Sequence, residues 1–322
     1  MTKDPTFVEH RFKVMGGPAR LLFKPPNREN DSRMILKRVL EMLGELESRY
    51  SRYIDSSLIS QINRHSGTGI YTPIDEETRG LFHFCDRLHH ESEGLFDPTA
   101  GILNRAWNFK TAETPNQTDI EDLLPNVGWS HVHIDERGIS LTKPNSQLDL
   151  GGIVKEYAAD KVVRVLREMG VTRALVELAG DIATLGSKSD ELPWRVGISD
   201  PTSPQKALMS VDLADTCLAT SGSYQRFIEK NGKRYGHFLN PKTGQPAEGS
   251  FSVSVIADTC LMAGSIATVA CLKATCEATS WLDASGLPWL MINDRSLSGP
   301  IADHQRKITP KEELQQNGPN LQ

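Results

Sequence analysis

The stretch from Leu148 to Gly186, "LDLGGIVKEYAADKVVRVLREMGVTRALVELAGDIATLG", decides the fold. A loop built on Gly151 and Gly152 leads into apolar residues at helical spacing as far as Gly170, and the run "ALVELA" then reads as a buried strand. This is a strand-loop-helix-strand unit. With the strands and helices on either side of it, the mixed order predicts an α+β fold.

Upstream, residues 7–24 predict two short strands around a Gly-Gly turn, ended by "PPNREN". Ile35, Val39, Met42, Leu43 and Leu46 recur at helical spacing behind an Asn30/Asp31 cap and predict an amphipathic helix to about Tyr50. A second helix is predicted from about Glu76 to Glu93, with Leu81, Phe84, Cys85 and Leu88 on one face and Gly94 as its stop. Residues 110–125 are polar and rich in turn formers, which predicts a surface excursion.

Downstream, strands are expected at 193–199 and 206–213, and Asn231-Gly232 marks a two-residue hairpin. A strand "FSVSVIAD", a small-residue helix "LMAGSIATVACLKA", a helix around Trp281 and a strand "PWLMIND" follow. Residues 7–300 read as one large domain and the polar residues 301–322 as a tail.

Composition narrows the function. The chain has 322 residues, 36 Lys and Arg against 41 Asp and Glu, and a net charge of -5, so a nucleic-acid partner is not expected. No apolar run approaches the roughly 20 residues of a membrane span, and the first residues lack the apolar core of a signal peptide. Cys85, Cys217, Cys260, Cys271 and Cys276 are scattered, without a Cys-x-x-Cys pair, which fits a reducing compartment; a cytoplasmic protein is expected.

Neither a G-x-G-x-x-G opening a helix nor a P-loop occurs, and "SGTG" at 66–69 is too short for either. His83, His89 and His90 lack the i, i+4 spacing of a metalloprotease pair and read as structural. In "LDLGGIVKEY" the glycines let backbone approach a ligand, Asp149 and Lys155 place opposite charges within one turn, and a helix N-terminus favours an anion. The same residues suit a capped, core-packed loop, and residue chemistry alone leaves both readings open; so it does for Phe96-Asp97-Pro98-Thr99. In "HFLNPKTGQP", His237 precedes an ordinary turn of Asn, Pro and Gly, and serves either chemistry or the turn.

Taken together and in order, "SRYIDSSLISQIN", "GLFDPTAGIL…W", "LDLGGIVKEYAAD", "ALVELAGDIATLG", "LATSGSYQRF" and "RYGHFLNPKTGQP" resemble the ApbE family of FAD:protein FMN transferases, from about Phe12 to Asp294. The resemblance implies a single T-fold-related α+β domain with mixed, mainly antiparallel sheets and packed helices. It also implies an enzyme that binds FAD, cleaves its pyrophosphate with Mg²⁺ and transfers FMN to a Thr or Ser hydroxyl of an acceptor flavoprotein, releasing AMP.

Carried over by motif, Met15, Tyr53, Leu95, Phe96, Asp97, Asp149, Lys155 and the backbone beside Phe238 are the implied flavin contacts. His237 is the implied catalytic residue, and the Gly152 carbonyl and Thr268 hydroxyl are implied Mg²⁺ ligands. Gly264 stands where the family usually has an aspartate ligand, and Asp258 is a candidate substitute. Other departures are Glu156 for a glycine, Ala179-Gly180 for a Gly-Gly pair, and Gly17 for a threonine. A protein that keeps the cleft without the metal carboxylate would instead sequester FAD or hydrolyse it slowly.

Overall fold

The computed structural model describes residues 7–26, 29–109, 113–224, 226–230, 232–249, 252–293 and 296–306. The elements are, in order, β1 (Val8–Val14), β2 (Gly17–Phe23), α1 (Glu29–Tyr50), α2 (Leu58–Arg64), α3 (Glu76–Glu91), a 3-10 helix at Pro98–Arg105, α4 (Gln117–Leu123), β3 (Val132–Asp135) and β4 (Gly138–Leu141). There follow α5 (Val154–Glu168), β5 (Ala174–Leu178), β6 (Asp181–Leu185), β7 (Trp194–Asp200), β8 (Ser203–Leu213), β9 (Cys217–Gly222), β10 (Phe227–Lys230) and β11 (Lys233–Gly236). The chain then forms β12 (Ser252–Ala257), α6 (Cys260–Leu272), α7 (Thr275–Ala284), β13 (Trp289–Asn293), β14 (Ser296–Ser298) and α8 (Pro300–Arg306).

An eight-stranded sheet in the order β1-β2-β5-β6-β9-β12-β13-β14 carries the fold, and its described pairings are all antiparallel. Its central strands are apolar on both faces, as burial on both sides requires. Ala174, Val176 and Leu178 of β5 join the core shared with α1 and α5, while Leu175 points to the other side. There Trp194, Val196, Ile198 and Leu213 of the β7–β8 hairpin cover the sheet with Ile301 and Ala302 of α8. Val253 and Val255 of β12 pack with Ala263, Ala267 and Ala270 of α6. The predicted α+β architecture is the one observed.

Helix α5 ends as its sequence dictates. Gly170, at φ 81°, lets its own N–H reach Arg167 O and the Val171 N–H reach Leu166 O, the paired bonds of a Schellman stop. Its apolar face buries Val162, Val165 and Leu166, each contributing about 1.5–3 kcal/mol relative to exposure.

Some elements differ from expectation. Helix α1 begins at Glu29, so Asn30 and Asp31 lie in its first turn rather than before it. In α3 Phe82 is fully buried while Phe84 is only partly so. The 110–125 excursion contains α4, anchored by buried Ile120 and begun by a bond from the Asn116 N–H to the Asp119 carboxylate at 3.2 Å. The hairpin β10–β11 pairs Lys230 with Lys233, as its turn residues predict, although Asn231 lies outside the described residues. Position 300 opens α8, so the first residues of the 301–322 segment pack on the sheet; 307–322 lie outside the described residues.

Candidate functional site

Helices α5 and α6 are stapled where they meet. Asp160 accepts the Cys260 N–H at 2.7 Å on one carboxylate oxygen and the Leu261 N–H at 3.0 Å on the other, satisfying two donors that the start of α6 leaves open. Cys217 Sγ, 3.9 Å from Asp160, completes a group of two buried cysteines and a half-buried aspartate whose carboxylate is occupied as a cap. One turn earlier on α5, Glu156 meets Gly264, one turn later on α6: a Cβ on Gly264 would lie 2.5 Å from Glu156 Cγ. The small residues of α6 permit this approach.

Lys155 Nζ lies 3.5 Å from Glu156 Oε1 and 3.4 Å from Asp181 Oδ2. The two carboxylates, Glu156 first, hold the ammonium charged and raise its pKa. Burial raises both carboxylates, because one ammonium does not offset the removal of two anions from water. Asp181 Oδ1 also accepts the Thr220 N–H at 3.2 Å, whereas Glu156 Oε2 is buried with no hydrogen-bond partner. A hollow lined by Gly180, Gly197, Ile198, Leu218, Thr220 and Tyr224 lies on the side of the sheet that the β7–β8 hairpin covers, apart from this cluster.

His237 follows directly on β11. Its ring lies 4.4 Å from that of Phe238 and meets Phe109 edge-on, and its Nδ1 is buried without a partner. Burial first, then the charges of Arg226 and Lys155, push its pKa down to about 4, so the imidazole is neutral at pH 7. The influence of Lys155 brings two segments far apart in sequence into one electrostatic site. The turn beyond is held from within: Gly244 N donates to Asn240 O at 2.8 Å, Lys242 N to Asn240 Oδ1 at 2.9 Å, and Trp107 Nε1 to Gly244 O at 2.8 Å. The Pro-x-Thr-Gly residues are thus a scaffold, and the histidine ahead of them is left over for another use.

The glycine loop before α5 forms the rim. Asp149 Oδ1 accepts the Gly151 N–H at 2.9 Å, and Gly101 packs against the Asp149 side chain, where a Cβ would come within 2.4 Å. Asp149 does not pair with Lys155: its Oδ2 lies 2.8 Å from Arg52 Nε, an ion pair without hydrogen-bond alignment. Arg52 in turn stacks over Tyr53 and donates to its hydroxyl at 2.6 Å, and Tyr53 as a residue remains 77% exposed.

Phe96 lies beneath Gly152, its ring 3.5 Å from where a Cβ would be, and Leu95 precedes it at the end of α3's exit turn. His89 Nδ1 is 3.0 Å from Phe96 O and fixes this turn, in line with the structural reading of that histidine. The Asp97 side chain is committed to the protein: it accepts from Thr99 N and Oγ1 and from Trp129 N, capping the 3-10 helix. Phe238 O accepts the Ala247 N–H at 2.8 Å and is likewise engaged. Met15 sits at φ 49° in the β1–β2 turn, and Gly17 beside it meets Ala179, just before Asp181. A threonine at position 17 would collide with Ala179 Cβ, 2.7 Å from a Cβ there, so those two departures fit each other.

Thr268 is one turn beyond Gly264 on α6, half-buried, with its hydroxyl 2.9 Å from Ser221 Oγ. Gly152 is exposed at the mouth of the loop. Asp258, the candidate substitute carboxylate, is exposed before α6 and does not face Gly264's surroundings, which Glu156 occupies. Asp181 and the role of Glu156 were missed in the sequence; an aspartate opening a buried strand after "LAG" was the available signal for the first.

These features define an α+β protein that brings a charged lysine, buried carboxylates and a neutral imidazole into electrostatic reach of one another, with aromatic side chains on the neighbouring loops. The ApbE family model matches residues 15–291, and the chain belongs to that family. It is 33% identical to the FAD:protein FMN transferase of Treponema pallidum, covering 72% of this chain and 69% of that protein. It is 28% identical to the one from Vibrio cholerae, over 81% and 80%. Among solved structures, the ApbE protein of Thermotoga maritima superposes with a TM-score of 0.84 at 27% identity, covering 93% of this chain and 98% of the other.

Proposed function

We propose that this chain is an FAD:protein FMN transferase that moves FMN from FAD to a Thr or Ser hydroxyl of an acceptor flavoprotein. One observation carries the reading: a neutral His237 ring, its Nδ1 buried without a partner, within electrostatic reach of the charged Lys155. In the reaction the acceptor oxygen attacks the phosphorus on the FMN side of the pyrophosphate, the bond to the bridging oxygen breaks, and AMP leaves. His237 takes the hydroxyl proton; the negative charge of an entering pyrophosphate raises its basicity from its depressed value. Lys155 balances phosphate charge, while Tyr53, Phe96, Leu95 and Met15 border the flavin and Asp149 and Asp97 hold the loops in place.

The donor set suits Mg²⁺, which prefers hard oxygen ligands. The Gly152 carbonyl and Thr268 hydroxyl would hold it together with substrate phosphate, beside a buried acidic group with one unpaired oxygen. When bound, Mg²⁺ supplies Lewis-acid polarisation of a phosphoryl oxygen. A cytoplasmic setting is supported by the free state of all five cysteines, and among the described residues no helix is long and apolar enough to cross a membrane.

The test is mass spectrometry of a threonine-bearing acceptor after incubation with FAD and Mg²⁺. One added FMN is expected, and His237→Ala should slow the addition by about 10² or more while FAD affinity stays within a few-fold. A wild-type protein that binds FAD but modifies no acceptor would be a flavin-binding protein instead.

A further inference from the structure

The geometry points to Glu156 as the carboxylate that binds the divalent cation of this site, reaching from α5 into the place that a side chain at Gly264 of α6 would fill. The inference rests on the reading of the chain as a metal-assisted flavin transferase.

Three independent observations converge. The Glu156 residue is 5% exposed, and its Oε2 has no hydrogen-bond partner, which is costly for a carboxylate unless a proton or a cation completes it. The space beside Gly264 belongs to Glu156, since a Cβ at 264 would come within 2.5 Å of Glu156 Cγ and 3.3 Å of Oε1. One carboxylate fits between the helices, supplied from either side. The charges also do not close: Glu156 and Asp181 are two anions on one ammonium, Lys155.

The helix register says where the remaining ligands come from. Asp160 meets Cys260 and Glu156 meets Gly264, so the helices run past each other in opposite directions in steps of four residues. One further step of four leads to Thr268 on α6 and, on the other side, to Gly152 in the turn just before α5. A carboxylate oxygen, a backbone carbonyl and a hydroxyl from this register are the hard donors that magnesium or manganese takes, with phosphate and water filling the octahedron. Asp258 is exposed and outside this register. The two sequence departures at 156 and 264 are therefore one event, a carboxylate moved across a helix interface with its space conserved.

The probe is Mn²⁺, titrated against protein with saturating FAD and followed by the electron paramagnetic resonance of the free ion, with FAD alone subtracted. Glu156→Gln keeps the shape and removes the charge; it should weaken Mn²⁺ binding by about 10–100-fold or more, the range that lost metal-site groups show. FAD affinity in EDTA should stay within a few-fold. The reciprocal pair Glu156→Gly with Gly264→Asp should restore Mn²⁺ binding, and it decides the matter if the amide variant fails to fold. Unchanged Mn²⁺ affinity in Glu156→Gln overturns the inference, as does a folded reciprocal variant that binds no Mn²⁺, or a wild-type complex that binds none. The transferase reading fails separately: no FMN added to any acceptor, with Glu156-dependent Mn²⁺ binding intact, removes the reaction and leaves the cation site.

Discussion

The turn from Asn240 to Gln245 and the cluster of Lys155, Glu156 and Asp181 are both polar, yet they end in opposite states. In the turn, Asn240 bonds to Lys242, Gly244 and Gln245, and Trp107 takes the Gly244 carbonyl. In the cluster, two carboxylates from two elements share one ammonium, and Glu156 Oε2 has no partner. His237 stands between them, tied to the turn by the chain and to Lys155 by charge. Groups left unpaired in an otherwise satisfied interior mark where a ligand completes the structure.

If that contrast is sound, removing the shared ammonium should be the most damaging single change. Lys155→Met leaves two buried carboxylates unbalanced, a class of change that costs about 3–5 kcal/mol. The lower end is expected, because 34% of the Lys155 side chain reaches solvent. Urea unfolding at pH 7 measures it, and a loss below about 1 kcal/mol would show that the cluster is not a buried charge system at all.

The contrast also explains what could be read in the sequence. The Asn240–Gln245 turn, the Gly170 helix stop and the β10–β11 hairpin were legible because their bonds join residues a few positions apart. The main helices and strands were legible from periodicity. Asp149 and Lys155 look like a pair in sequence, but their partners are Arg52 on one side and Asp181 on the other, set by packing rather than by spacing. Gly264 and Glu156 were each visible as departures, while their complementarity exists only across the α5–α6 contact. Helix α4 escaped notice because it buries a single residue, Ile120, and so carries almost no apolar period.

Acid should act on the His237 side of the comparison. A histidine held at about 4 in the fold, against an ordinary value of about 6.5 when unfolded, leaves the unfolded chain binding more protons between those values. Its contribution is full above about pH 6.5 and is lost as pH falls toward 4, amounting to at most about 3 to 3.5 kcal/mol. His237→Gln, which keeps a neutral polar ring-sized group without the titration, should therefore lose less stability than the wild type over that window. Parallel stability curves for the two proteins would place the imidazole in water rather than in the cleft wall.

The turn itself offers the smallest effect and the cleanest separation of stability from chemistry. Gly244 has φ 67°, a conformation that favours glycine, and a Cβ there would lie 2.4 Å from Ile120 Cγ2 on α4. Gly244→Ala must therefore adopt a strained backbone and displace a buried isoleucine, costing about 2 kcal/mol, which lowers the thermal midpoint by several degrees in a domain of this size. The turn's bonds hold His237 from behind and do not enter the cleft, so at a temperature well below the midpoint FMN transfer should remain within a few-fold of wild type. A variant that keeps its melting temperature but loses transfer would reverse the assignment, making the turn part of the chemistry and not its scaffold.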